Sequence, residues 1–388
     1  MATTKEQAEA YGYEGRRQAT TLVTGQDEAR TDPRRRINRV TAAGVLVGVL
    51  VMAGFGIAGF LGAGRGPALP ESGAVLVSGS GDRYVVVDGR LHPALNLASA
   101  LLVGGGTITQ VRPAGLDALP RGLPVGIPEA PDALPAPDRL SIAPWTVCAV
   151  PSGAATLPPE VTVRVGAPEP GAGAVDAGPA VLATGPDGTR WLLNQGRRYR
   201  LGDDAARLVG RPRTALTLPA EILDLLPEGV PGEAPRIAGP GAPAVGDVAR
   251  VQLVGPQRDQ PLCLSTTPGD PAGDAPWPVR MSLPGVVLGP GEQPVHTSQG
   301  DTPGVVNQVV VPRGSGALVR ATTASGGDGA LTLVTDSGQR FAVPTPDAAA
   351  RLRYDPATAP SVPAPFVRLL PAGPALDPEV AAKEFTGR

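Results

Sequence analysis

At 388 residues and 42% apolar content, the chain is long enough for two or three domains and can bury a sizeable core. Its formal net charge of −2 argues against a polyanion partner, while Gly 52 and Pro 46, about a quarter of all residues, call for long stretches without regular structure. Aromatics are only 3%, so Val, Leu and Ala must build the cores and each ring marks a special packing position.

Residues 1–39 read as a basic cytoplasmic leader. Within it, EAYGYEGRRQATTLVTG predicts a short helix bearing Tyr11, Tyr13, Arg16 and Arg17, polar enough to stay solvated near anionic headgroups and aromatic enough to dock. VTAAGVLVGVLVMAGFGIAGFL, residues 40–61, carries no charge, and at about 1.5 Å per residue it spans a ~30 Å hydrocarbon core. The expected transmembrane helix is therefore 40–62. Before it stand Arg30, Arg34, Arg35, Arg36 and Arg39 against Asp32, and only Arg65 follows closely, so the positive-inside rule puts the N-terminus in the cytoplasm and the bulk of the chain outside the cell membrane. The competing reading, a cleaved secretory signal, requires a shorter basic region and a shorter apolar core. Gly44 and Gly48 form a GxxxG that permits helix-helix contact in the membrane, although glycine is common in such helices.

Cys148 and Cys263 are the two cysteines, and this topology places both in an oxidising compartment. A disulfide between them is the simplest account, and in the chain-entropy model it contributes about 4–5 kcal/mol. The alternative is two unpaired buried thiols. Their separation excludes a CxxC redox pair, and no His/Cys cluster has metal-ligand spacing.

Three segments share one pattern, starting at Val75, Val181 and Leu331. Each reads as a short strand, a Gly-containing turn, an arginine with an aromatic, more strand, then an alanine-rich helix. The aromatic anchors are Tyr84, Trp191 and Phe341, preceded by Arg83, Arg190 and Arg340. The second and third copies continue in register, with Leu208, Pro212, Pro219, Leu226, Pro227 and Gly229 matching Leu352, Pro356, Pro363, Leu370, Pro371 and Gly373. A unit of this size cannot bury its apolar face alone and must pack against something. The candidate is a central β region around the two cysteines, drawing strands from VTVRVG, DVARVQLVG (from Asp247), VVNQVVV and GALVRATT. The expected organisation is a repeat module at 72–115, a Pro-rich linker at 116–144, central β domain at 145–180, a second module at 181–230, linker and central β domain again at 231–325, a third module at 326–374, and a tail at 375–388. The fold class is one transmembrane helix plus an elongated, β-rich α+β ectodomain whose central β domain carries flanking strand-helix modules.

LHPALNLASALLV, residues 91–103, places His92, Asn96 and Ser99 in an apolar run. Pro93 suits a first helical turn, which puts His92 at the cap, starts the helix at Ala94 and lays Leu95, Ala98 and Leu102 on one face. Aligning the first two copies on Tyr84 and Trp191 sets Tyr199, Asp203 and Ala206 opposite the polar trio, so a docking helix is the better reading than a catalytic set. Asp203 and Asp204 favour the dipole at the start of a repeat helix. No P-loop, GxSxG elbow or HExxH is present and no GxGxxG links a strand to a helix, so no catalytic, cofactor-binding or metal-ligating residues are assigned.

The leader with DPRRR, the span ending AGFGIAGFLG, YVVVDGRLHPALNLASALLVGG, LPRGLPVGIPEAPDALP, WTVC and LLPAGPALDPEVA together resemble the EccB family of the actinobacterial type VII (ESX) secretion system. The resemblance implies a single-pass structural subunit of an inner-membrane secretion channel. Its implied partners are the motor ATPase EccC, the many-spanning EccD, EccE, further copies of itself through the ectodomain, and the mycosin protease. It also implies a Cys148–Cys263 disulfide and four repeats, of which three are found. Some family members carry an ATPase label, for which this chain has no matching motif. Two other readings are a membrane-anchored hydrolase using His92 or His296, and a cell-wall-binding anchor.

Overall fold

The computed structural model describes residues 4–25, 33–60, 69–151, 159–167, 180–202, 216–229, 236–237, 250–251, 260–269, 277–297, 306–323 and 329–385. The chain divides into two units, Met1–Ala68 and Leu69–Arg388.

The first unit holds two helices. α1 (Thr4–Thr24) is longer than the short helix read from its polar sequence, and it leaves Tyr11 and Tyr13 exposed. α2 (Pro33–Phe60) opens on a proline, whose missing N–H costs nothing in the first turn. Its stretch Ile37–Ile57 is long and apolar enough to cross a membrane, about 31 Å at the standard rise. The helix thus starts seven residues before the expected span, because a helical backbone need not end where its apolar surface does.

In the second unit β1 (Gly73–Val77), β2 (Arg83–Val87) and β3 (Arg90–Pro93) lead into α3 (Leu97–Gly104) and β4 (Ile108–Val111). β5 (Trp145–Val150) and β6 (Glu160–Val165) follow, then β7 (Val181–Thr184), β8 (Arg190–Asn194), β9 (Arg197–Arg200) and β10 (Leu216–Thr217). β11 (Arg236–Ile237) and β12 (Arg250–Val251) pair only with each other. The segment from Asp247 therefore adds no described strand to the central sheet. β13 (Leu262–Thr266), β14 (Arg280–Ser282), β15 (Val295–His296) and β16 (Gln308–Val310) complete that sheet, whose order is β14-β13-β5-β6-β16-β15. Last come β17 (Ala317–Thr322), β18 (Ala330–Val334), β19 (Arg340–Ala342), a helix at Pro346–Arg351, and β20 (Ser361–Pro363).

The other three large sheets have one topology. Their orders are β3-β2-β1-β4, β9-β8-β7-β10 and β19-β18-β17-β20; in each, the first three strands are antiparallel neighbours and the last lies parallel to the first. After the last strand a short helical turn leads to the tetrapeptide LPxG: Leu119–Gly122, Leu226–Gly229 and Leu370–Gly373. Each tetrapeptide returns along the third strand. The proline carbonyl accepts from the N–H of Leu91, Arg198 or Arg340, and the glycine N–H donates back to the same residue. Over each glycine lies a ring, His92, Tyr199 or Phe341, so close that a Cβ there would collide with it.

This geometry corrects the reading of the third copy. Phe341 corresponds to His92 and Tyr199 on the third strand, not to Tyr84 and Trp191 on the second. The third sheet starts at Ala317, so GALVRATT belongs to it rather than to the central sheet, and the module boundary expected at 326 falls too late. Both hairpins of a unit share Gly turns and alternating apolar residues, so pattern alone slips by one hairpin. The distance to the helix cap is the signal that resolves it: His92 and Phe341 each stand four residues before Asn96 and Thr345.

A second correction concerns α3. Pro93 closes β3 instead of opening a helix, His92 lies in the strand, and Asn96 is the cap, its Oδ1 accepting from Ser99 N at 2.9 Å. Thr345 caps the helix Pro346–Arg351 in the same way. Asp203 holds the matching place in the second copy, but it and Asp204 lie outside the described residues.

The cores follow from the two faces of these sheets. The short-helix faces of the second and third sheets, through Ile222, Leu226, Phe366 and Leu370, merge with Val147, Val163 and Leu264 of the central sheet. The corresponding face of the first sheet forms its own small core of Val75, Val77, Val86, Leu91, Val111 and Leu116. The sequence explains the difference: Ile222/Phe366 and Leu225/Leu369 align with Gly115 and Ala118, which offer no large apolar group for docking. The first module joins the rest instead through α3, whose Ala98, Leu101 and Leu102 share a core with Leu318, Leu333, Phe341 and Ala348 of the third.

Candidate functional site

The anchor is built from α2. Arg34, Arg35, Arg36 and Arg39 occupy its first two turns, the first three ahead of the Ile37–Ile57 stretch and Arg39 just inside its start, where it is exposed. Gly44 and Gly48 lie one turn apart, and among the described residues nothing beyond the helix's own backbone comes within 4 Å of where a Cβ would stand on either. That face is bare backbone available to another helix.

The polar trio of the first module has a structural task. The segment expected as a Pro-rich linker runs beside α3 as an ordered ribbon, and the trio bolts it there. His92 Nδ1 meets Leu123 O at 2.8 Å, Asn96 Nδ2 donates to Ile127 O at 2.8 Å, and Ile127 N donates to Ser99 Oγ at 2.9 Å. Backbone bonds from Val125 N to Pro93 O and from Leu95 N to Val125 O continue the pairing. At Gly126, φ is +139° and a Cβ would press on Ser99, so only glycine lets the ribbon approach. Buried polar atoms that satisfy a passing backbone explain why these side chains occur in this copy alone. Leu95 sits before α3 and is exposed, so it does not share the buried face of Ala98 and Leu102.

Tyr84 packs on the edge of the first core and Trp191 on the edge of the large one. Arg198 stacks over the Trp191 ring, 5.0 Å from its centroid, and pairs with Asp224. Phe341 is fully enclosed. These rings occupy three different packing environments and do not converge.

On the central sheet Cys148 and Cys263 lie directly opposite each other on β5 and β13 and are joined by a disulfide. Both are on the face that also carries Thr146, Thr162, Arg164 and Ser265, while Trp145, Val147, Val163 and Leu264 alternate into the large core. Arg164 is 1% exposed and forms a fork to Glu292 at 2.6 and 2.7 Å, with a further bond to Val287 O at 2.9 Å. The guanidinium holds the Glu292 carboxyl below its ordinary pKa, against the opposing effect of burial. This pair fixes the 283–292 loop over the disulfide face, and sequence reading missed it because its members are far apart in the chain. Among the described residues no group of three or more His, Cys, Asp or Glu could hold a metal ion. His92 and His296 lie in separate sheets, on β3 and β15.

Among the described residues, one apolar helix long enough to cross a membrane precedes a disulfide-braced, sheet-rich domain, which is the make-up of a membrane-anchored protein. The family model described as "Type VII secretion system ESX-1, transport TM domain B" matches residues 1–256 and 248–387, and the chain belongs to this family, EccB. It is 32% identical over 282 residues to the protein named ESX-5 secretion system ATPase EccB5 of Mycobacterium marinum, covering 66% of this chain and 55% of that one. The chain thus spans about half the length of the curated relatives it matches. Its fold matches a chain in the structure of an intact ESX-5 inner membrane complex at a TM-score of 0.62 and 24% identity, covering 100% of this chain and 96% of that one. A chain of the periplasmic assembly from that complex matches at 0.62 and 25% identity, over 84% and 96%.

Proposed function

We propose that the chain is a non-catalytic structural subunit of an inner-membrane type VII secretion channel. The observation that carries this reading is the family match, which runs through the anchor and the folded domain alike. In this reading the arginine-flanked α2 crosses the membrane with α1 in the cytoplasm, and the bare Gly44/Gly48 face seats a helix of a neighbouring subunit. The three module sheets and the central sheet stand outside, as the likeness to a periplasmic assembly supports. There they contact further copies of the chain and the other Ecc components, EccC, EccD and EccE, with mycosin as an outer partner.

The ATPase in the name of the Mycobacterium marinum relative supports a second reading, nucleotide hydrolysis. Against it stands a chain with Lys5 and Lys383 as its lysines and no GxxxxGK[ST], so no lysine is placed to neutralise β/γ-phosphates. Affinity purification from native membranes in mild detergent tests the proposal. The tagged chain should co-elute with a motor ATPase and a many-spanning protein, and the chain purified alone should hydrolyse no ATP above a His92→Ala control. Recovery as a lone monomer, or turnover abolished by that substitution, would overturn it.

A further inference from the structure

The first module follows directly on the anchor in sequence, yet it lacks the side chains that dock the other two modules on the central sheet. Its hold on the rest of the domain is a joint between α3 and the third module. Hydrogen bonds cross that joint, among them Arg351 Nη1 to Leu102 O at 2.9 Å in the last turn of α3 and the Tyr354 hydroxyl to Pro135 O at 2.8 Å, and Gly106 abuts the Arg351 backbone closely.

One segment spans the joint from end to end. Leu376 is fully buried and its N–H donates to Ala342 O, extending β19 of the third module. Asp377 caps the helix Pro378–Ala381, which packs on α3 with Ala381 fully buried. Glu384 then pairs antiparallel with Val125 of the ribbon, and Phe385 N donates to Pro124 O at 2.6 Å. The ends of this segment are therefore bonded to different modules, and the short helix between them covers the helix that both modules share.

We propose that Leu376–Phe385 is a strap that couples the anchor-proximal module to the third module, and that its release loosens α3 and the ribbon while the central sheet keeps its structure. A device of this kind sets whether displacement of the anchor reaches the central sheet. The strap adds backbone pairing at both ends but places only Leu376 and Ala381 fully in the core, so it belongs to the weaker end of local opening.

Hydrogen exchange read by mass spectrometry on the full chain in detergent tests this, comparing wild type with chains stopped after Lys383 or after Ala375. The longer truncation should speed exchange of the α3 amides and of residues 122–131 by about tenfold or more, and the shorter one by a smaller factor, with β5, β13 and β18 unchanged. Unchanged exchange at α3 would overturn the strap. So would equal acceleration in the central strands, which would make the segment part of one indivisible core.

Discussion

Replacing Gly373 by alanine isolates the lock that closes each module. The LPAG tetrapeptide cannot retreat, because Arg340 N–H donates to Pro371 O and Gly373 N–H returns to Arg340 O, at 2.9 and 2.8 Å. The Phe341 ring cannot retreat either, being 1% exposed within the core shared by the first and third modules. A methyl group there must displace one of them, so the expected cost is the upper part of the overpacking range, about 2–3 kcal/mol. Gly285→Ala, on an exposed loop with nothing within 4 Å of the new atom, should stay within about 0.5 kcal/mol of wild type. The assay is equilibrium denaturation in detergent followed by tryptophan fluorescence, since Trp145, Trp191 and Trp277 all lie in the second unit. Phe341→Leu should relieve part of the strain in the alanine background, giving a double-mutant coupling of about 1 kcal/mol or more. A Gly373→Ala variant as stable as the Gly285→Ala control, or purely additive behaviour, would refute the steric argument.

Three further outcomes follow from named contacts. Asn96→Asp keeps the cap on Ser99 N but turns a carboxylate oxygen toward Ile127 O, so thermal unfolding should show it no better than Asn96→Ala, each losing about 1–2 kcal/mol. Glu292→Gln leaves the buried Arg164 without its counter-charge and should cost about 3 kcal/mol in denaturant titration. Because Glu292 has its pKa lowered on folding, its contribution is present above its ordinary value of 4.5 and fades as pH falls through the folded pKa; the wild type should therefore lose more stability than Glu292→Gln on acidification below that value. Unreduced peptide mapping should recover Cys148 and Cys263 in one linked species, and Cys148→Ser with Cys263→Ser should cost up to about 4–5 kcal/mol; free thiols at both positions would contradict the structure.

Much of this architecture is legible in the sequence, and the failures have physical causes. The uncharged run before the modules announces the anchor, since no soluble helix needs so long an apolar surface on every side. The repeated helix and LPxG region is visible because six identities survive in register. The start of the third module is obscured because two successive hairpins in each unit use the same turn chemistry, and only the spacing from ring to cap distinguishes them. His92 and Asn96 are misplaced by the pull of Pro93, which fits the end of a third strand as well as a first helical turn, because neither position requires an N–H donor. The 119–135 ribbon reads as a linker because proline and glycine show only what a segment cannot be. What it is depends on Asn96 and Ser99 supplying its missing hydrogen bonds. Gly115 and Ala118 carry the opposite lesson: the failure of the first module to dock on the central sheet is written in two small residues, once the three LPxG segments are aligned.

The central claim is that the chain supports export as an anchored scaffold rather than as a soluble or catalytic one. Its most direct test is type VII substrate secretion in a strain lacking the chain, complemented either by the full protein or by residues 69–388 delivered outside the membrane behind a cleavable signal. The full protein should restore secretion and the released domain should not, although the domain accumulates with its disulfide formed. Secretion restored by the released domain would contradict the claim.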